Sequence, residues 1–301
     1  MKRFFPLGLC LSLAVPLSGQ ASIAISGSLE WDKMELNASV ALRLDSQGIR
    51  MPAGRAQAEE IINVEYTGLI RPYILNIPID SSTTIEDLIH AGDFSLYGPD
   101  LIAADARRIP PFLSPDIQSL TASYTIDLTD ISAQVIRHSR PMELYRPIAA
   151  VPSASYTGII IIANEAQPIH GRNTRALPRP CLFPKIWDTD MNLIYERNSL
   201  DPRSSRKTLV QYVSDKSIFY PTPSGLSPEL VALVGLNPLR IFARGVFGAS
   251  PSDPIIDKAD ALAILSSETN RLLLREGRVA IVLHEDVLKA PLPRRRDDQD
   301  P

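Results

Sequence analysis

Four consecutive isoleucines, Ile159 to Ile162, followed by Ala163, constrain this chain more than any other feature. Successive side chains of a strand point to opposite faces, so a run without alternation is apolar on both sides. Such a strand is stable only inside a sheet that is covered twice. The rest of the chain must therefore supply packing layers for both faces of a central strand.

Upstream the pattern is different. Leu36, Ala38, Val40 and Leu42 alternate with Asn37, Ser39 and Ala41, the period of a half-buried strand that ends at Ser46-Gln47-Gly48. Pro52 then opens a stretch with apolar residues at helical spacing, and a proline suits a first helical turn. The spacing predicts a helix from about Pro52 to Ile70, stopped by Arg71-Pro72 because the residue before proline avoids helical geometry. Thr84 to Ile89 reads as a short helix, and Leu120 to Val135 as one alternating strand.

Beyond the isoleucines, Pro184 to Asp188 and Leu193 to Glu196 flank Thr189-Asp190-Met191-Asn192, a hairpin with a polar turn. Leu209 to Val213 and Leu239 to Phe247 read as strands. A single helix is expected from about Ala261 to Arg275, ended by Gly277, with Asp253, Asp257 and Asp260 as carboxylates around its start. Arg278 to Leu283 is a last buried strand. Prolines cluster at 110–115, 178–184 and 221–228 among 26 in all. They mark connections or sheet edges, where a missing N–H costs little.

The expected class is α+β: two small mixed α/β units with largely antiparallel sheets after a signal peptide. Met1-Lys2-Arg3, the apolar run Phe4 to Leu17 and Ser18-Gly19-Gln20-Ala21 have the layout of a secretory signal cut after Ala21. Its apolar core is too short to span a bilayer, and no later segment suggests a transmembrane span in the mature chain. The organisation read from sequence is a signal peptide over 1–21, an N-terminal α+β domain over 27–140, a C-terminal α+β domain over 151–290 and a disordered tail over 291–301. Of the two cysteines only Cys181 remains after cleavage, so packing must hold the exported protein together. A net charge of −3 disfavours nucleic-acid partners, which need a basic face.

Several short phrases carry a family resemblance. Tyr156-Thr-Gly158-Ile159, Pro184-Lys-Ile186-Trp-Asp188-Thr-Asp190-Met-Asn192, Asn237-Pro238-Leu239 with Gly245, and Gly277-Arg278-Val279 recur in order, preceded by Gly27 to Trp31, Arg55-Ala56 and Ile79 to Ile85. The chain resembles secreted bacterial proteins related to flagellar assembly protein T and to the twenty-kilodalton antigenic lipoproteins. It departs from them where they carry Asp-Ala-Arg-Gly and this chain has Ile162-Ala163-Asn164-Glu165, and in lacking a lipid-bearing cysteine. The resemblance implies a non-enzymatic periplasmic or outer-membrane-associated protein, with basal-body components as partners in the flagellar members.

Catalytic chemistry is sparse. No two of His90, His138, His170 and His284 stand at metal-ligand spacing, and the sequence has no serine elbow and no phosphate loop. No cofactor, metal or catalytic residue is assigned. Asp188, Asp190 and Asn192 suit the hairpin turn better than a calcium loop. Two basic loops, Arg172-Arg175-Arg179 and Arg203-Arg206-Lys207, are the candidate binding residues for an acidic partner, anionic glycan or lipid headgroup. The function expected is an exported envelope binding or assembly protein with envelope or outer-membrane-associated partners, and self-association through an edge strand is a further route. The alternative is a periplasmic hydrolase with a non-local site such as His170 with Asp188 or Asp190.

Overall fold

The fold is that of a computed structural model describing residues 22–204 and 208–292. The signal peptide read at 1–21 lies outside these residues, as do Arg206, Lys207 and the tail from Pro293 on.

The first domain opens with a hairpin of β1 (Ile23–Glu30) and β2 (Glu35–Arg43). Next come α1 (Arg55–Leu75), α2 (Ile85–His90), α3 (Gly98–Ala104), β3 (Arg107–Leu113), β4 (Ser119–Asp127) and α4 (Leu128–Val135). Alternation works as read: every second residue of β2, from Leu36 to Leu42, is buried, and β4 repeats the pattern from Leu120 to Ile126. The inner faces pack on α1 through Ile62, Tyr66, Ile70 and Ile74. The outer face is polar and paired, with Thr125 donating to Asn37 at 2.7 Å and Ser39 meeting Ser123 at 3.1 Å.

Two expectations fail here. The helix does not stop at Ile70 but runs through Pro72 to Leu75. The carbonyl that Pro72 deprives of a donor belongs to Gly68, whose surroundings are open, and burial of Tyr73 and Ile74 holds the last turn. Leu120 to Val135 is not one strand. The chain turns helical after Asp127, whose carboxylate accepts from Thr129 N at 2.8 Å as an N-cap.

The second domain contains β5 (Ile159–Ile162), β6 (Gln167–Pro168), β7 (Arg175–Ala176), β8 (Ile186–Asp188), β9 (Leu193–Tyr195), β10 (Gln211–Val213) and α5 (Pro228–Val234). It continues with β11 (Leu239–Phe242), β12 (Gly245–Phe247), β13 (Asp253–Ile256), α6 (Lys258–Leu265), α7 (Glu268–Arg275) and β14 (Val279–Val282). The four isoleucines form an inner strand, as expected, in a sheet ordered β10-β14-β5-β11 with every pairing parallel. One face meets α5 through Ile160, Ala280, Leu230 and Leu233, and the other joins the main core through Ile159, Ile161, Val279 and Ile281. Gly158 allows this approach, since a Cβ there would sit 2.4 Å from Val234 Cα. The hairpin of β8 and β9 forms as read, inside a sheet ordered β12-β13-β8-β9.

Leu239 to Phe247 divides into β11 and β12, which join different sheets. The single helix expected over 261–275 is two, broken at Ser266-Ser267, where the Ser267 hydroxyl caps α7 by accepting from Asn270 N. Gly277, at φ +67°, ends α7 as anticipated. Only Asp257 is an N-cap residue, and its side chain makes no capping bond. Asp253 lies buried in β13, because Ile255 and Ile256 continue the strand up to the helix.

From the second domain the chain returns to the first sheet. After α8 (Glu285–Leu288), β15 (Lys289–Pro291) pairs with β1, giving a first sheet ordered β15-β1-β2-β4-β3. Pro291, grouped with the tail by composition, is thus the last residue of a strand. A single buried cluster runs through both domains, from Trp31 and Leu36 to Ile161, Tyr212 and Leu283. The class is mixed α+β with two domains, as the sequence indicated.

Candidate functional site

The two basic loops are placed differently. Gln167-Pro168 and Arg175-Ala176 pair as a short ribbon whose turn holds Gly171 at φ +75°. Arg172, Arg175 and Arg179 are all exposed. Arg175 donates to the Ala166 carbonyl at 2.5 Å, and the Arg179 amide is tied to Pro251 O at 2.8 Å. The scaffold is thereby fixed while the charged ends of Arg172 and Arg179 face water.

Arg203 lies in a cleft of about 480 Å³ with Arg275 and Arg278. Arg172, Arg175 and Arg179 do not line it, so among the described residues the two loops do not meet in one cleft. Arg203 forms a two-pronged pair with Asp201 at 3.1 and 2.9 Å. That guanidinium, with help from the Arg203 amide, holds the Asp201 carboxyl down to about 2. Arg278 donates through Nε to Leu233 O and lies 4.0 Å from Glu276, while Arg275 lies 3.8 Å from Glu268. Each guanidinium has a carboxylate within 4.0 Å, although Arg275 shares Glu268 with Arg146 and Arg271, so an anion entering the cleft competes with internal partners. Sequence reasoning missed Arg275 and Arg278. Their signal was the Gly277 cap between them, since cations gather at helix C-termini.

A second cleft of about 510 Å³ lies between the tip of the β8–β9 hairpin and α6, lined by Met191, Leu193, Ala261, Leu262 and Tyr145. Asp188, which lines it, and Asp190 in the same turn are both engaged. Asp188 accepts from Asp190 N, Asn192 N and Asn192 Nδ2, all within 2.9 Å, and Asp190 pairs with Lys258 at 2.5 Å. The His170 ring packs on Phe247, centroids 6.0 Å apart. No hydrogen bond joins His170 to Asp188 or Asp190 among the described residues, nor do three His, Cys, Asp or Glu side chains gather as a metal-holding group.

Polar chemistry is concentrated instead where the two domains meet. Leu182 N and Phe183 N donate to Pro78 O and Ile79 O at 3.0 and 2.7 Å, and Ser250 N donates to Ser81 O at 2.9 Å. The fully buried Asp253 accepts from Ser81 Oγ at 2.7 Å and Lys185 N at 2.9 Å. Burial drives its carboxyl above the ordinary value, and the bonds from Lys185 N and Ser81 offset this only in part. Neighbouring Asp80 goes the other way: burial raises it, but bonds from Ser82 and Thr83 and the Lys185 charge at 3.2 Å outweigh that and leave it lowered. Gly248, at φ +116°, lies so close to Ser81 that a Cβ would fall 2.3 Å from the serine's own.

On the opposite side of the junction, Glu30 receives Lys289 at 2.5 Å and Lys33 at 2.7 Å. These bonds, Lys289's first, hold its carboxyl down to about 2. Trp31 lies beside it, its amide donating to Leu288 O at 2.8 Å and its ring edge-on to Tyr212 at 6.0 Å. Cys181 is buried in the same interior, with Tyr212 Oη bonded to both its amide and its carbonyl. Burial pushes the thiol far above its usual range, away from the reactive thiolate. No described helix is long and apolar enough to cross a membrane.

Comparison with known proteins places both domains. Residues 22–134 match the N-terminal domain of Treponema pallidum Tp0624, and residues 158–285 match the second domain of the same protein. No curated protein matches the chain. The matched intervals coincide with the units built on the antiparallel and the parallel sheet. Residues 135–157, between them, are the strap that crosses from α4 to β5. No link to flagellar assembly protein T or to the twenty-kilodalton antigenic lipoproteins, to which the short sequence phrases pointed, is shown. The chain carries, in order, the N-terminal domain and the second domain of the Treponema pallidum Tp0624 family.

Proposed function

We propose that this protein is an exported, non-enzymatic binding or assembly module of the cell envelope, periplasmic or associated with the outer membrane. The observation that carries the reading is the single core shared by both domains, which makes the molecule a stiff platform for its exposed loops. Positioned loops on a rigid scaffold are the usual seat of binding. The basic start and apolar run of residues 1–21 support export. Engagement of Asp188 and Asp190 within and beside their own turn supports a binding role over a hydrolase built on His170. In its narrower form the partners are basal-body proteins, a role that rests on the resemblance of the short sequence phrases alone.

The test is an affinity pull-down of the full chain from crosslinked envelopes of its own cells. Stoichiometric recovery of envelope proteins is expected, with basal-body components among them if the narrower form holds. Recovery from the cytosolic fraction, or of the bait alone, overturns the proposal. Changing Arg172, Arg175 and Arg179 together to Ala should leave the fold intact and weaken that recovery. Unchanged recovery removes this loop as the contact.

A further inference from the structure

The edges of the sheets are not equally protected. An edge strand offers unpaired N–H and C=O groups to another chain, and proline or a covering segment blunts it. In the first sheet the edge strand β3 carries Pro110-Pro111 with a register break between Ile109 and Phe112, and the opposite edge ends at Pro291. The free side of β12 is taken by a bridge between Ile169 and Val246. Tyr212 and Val213 of β10, and Ile194 and Tyr195 of β9, are buried. Strand β11 is short and bears a charge at Arg240, yet among the described residues nothing pairs with its free side. It contains no proline, Arg240 is exposed, and Phe242 keeps 63% of its surface in water.

The hydrogen bonds fix which groups are free. Leu239 N donates to Gly158 O and Ala243 N to Ile162 O, both at 2.9 Å. Leu239, Ile241 and Ala243 therefore turn their backbone groups toward β5, while those of Arg240 and Phe242 point outward. Residues two apart on a strand share a face, so the Arg240 and Phe242 side chains stand side by side above that outward edge.

We propose that β11 is a self-association edge that pairs with β11 of a second copy, antiparallel about a two-fold axis through Ile241. A centre at Arg240 would oppose two guanidinium groups and set Phe242 against Pro238, which has no N–H. A centre at Phe242 would set Arg240 against Arg244, whose N–H is spent on Ile255 O. The centre at Ile241 gives two complete pairs, Arg240 opposite the partner's Phe242 and Phe242 opposite the partner's Arg240. Each of these pairs exchanges two N–H···O bonds, and the four-stranded parallel sheet continues through the axis into its copy. Arg240 spends one bond on Ser224 O at 2.9 Å, and its guanidinium can still lie over the partner's Phe242 ring, a cation–π pair made twice by symmetry. This complementarity of a cation and an aromatic ring on one short edge selects a second copy as the occupant. A strand of four residues buries little area, so the dimer is weak and depends on concentration.

Sedimentation velocity of the purified chain, from micromolar to submillimolar concentration, reads the equilibrium directly. The expected result is a monomer–dimer series. Phe242→Lys sets like charges opposite each other twice and should weaken dimerisation about tenfold or more. Phe242→Glu sets a carboxylate against the partner's Arg240 and should keep the dimer while making it salt-sensitive. The double variant R240E/F242K exchanges the charges and should restore association. Circular dichroism confirms that each variant is folded, and exposure of both side chains makes that outcome expected. A wild type that stays monomeric throughout, or equal losses for Phe242→Lys and Phe242→Glu, overturns the proposal. The measurement uses purified protein alone, so its failure is separate from failure of the envelope reading.

Discussion

Two fastenings hold the domains together, and they are built on opposite electrostatic terms. At the β1–β15 junction, Glu30 is buried but surrounded by the ammonium groups of Lys33 and Lys289, and its negative charge is favoured. At the β13 junction, Asp253 is sealed from water and bonded by the neutral Ser81 hydroxyl and Lys185 amide, the Lys185 charge acts on it only as a lesser influence, and its negative charge is disfavoured. Depth of burial alone does not decide the charge state of a carboxylate. What decides is whether charged groups bond the carboxylate directly, as both lysines do at Glu30.

The largest expected effect comes from removing the apolar part of the first fastening. Trp31 is 2% exposed and reaches from the β1–β2 turn to Tyr212 of the second domain. Trp31→Ala should cost about 3–5 kcal/mol by lost burial and the cavity left behind. Because the core is continuous, wild type should melt in one transition, and the variant should separate into two. Calorimetry checks this, and a single, slightly lowered transition for the variant would place the coupling elsewhere.

The second fastening should be next in size. Asp253→Ala orphans the Ser81 hydroxyl and the Lys185 N–H inside the protein, at a cost of about 1–3 kcal/mol measured by urea unfolding. Ser81→Ala alone should cost less, since Asp253 keeps the Lys185 bond. Equal losses from the two variants would mean that the carboxylate depends on the hydroxyl as much as on the amide.

These fastenings also mark the limit of what the sequence discloses. The isoleucine run, the alternation of β2 and the β8–β9 hairpin are legible because their signals are local. The end of β4 was legible too, in Asp127 followed by Thr129, and the break of α6 from α7 lay in Ser266-Ser267. Both signals are masked by the apolar residues that continue across them. Nothing local marks Asp253 as buried: beside Asp257 and Asp260 it reads as one more carboxylate before a helix, and its partner Ser81 is a first-domain residue. Lys289-Ala290-Pro291 likewise has no strand signature, and forms β15 only because β1 offers it an edge. The basic loops were found from composition, but that Arg203 shares a cleft with Arg275 and Arg278 follows from where α7 ends in space.

A smaller loss is expected from Glu30→Gln, about 1 kcal/mol, because both lysines that it pairs with are well exposed to solvent. Its value is that, beside Asp253→Asn, it separates the two fastenings by sign. The Glu30 carboxyl falls from its ordinary value of 4.5 to about 2 on folding. Its contribution is complete above pH 4.5 and is lost as the pH falls through about 2, so wild type should lose its margin over Glu30→Gln in that window. The Asp253 carboxyl moves upward from 3.8 on folding, with burial as the leading cause. The folded state then binds the proton more tightly than the unfolded state, so the contribution is complete below pH 3.8 and lost as the pH rises through the folded value. Asp253→Asn keeps an acceptor oxygen and does not titrate. Wild type should therefore lose stability relative to Asp253→Asn as the pH rises from about 4 toward neutrality, the reverse of the Glu30 pair. Urea midpoints from pH 2 to pH 7 for the three proteins test both slopes together. Parallel profiles for wild type and Asp253→Asn would mean that water or a cation reaches Asp253, and the contrast between a charge bonded by lysines and a charge bonded only by a hydroxyl and an amide would no longer stand.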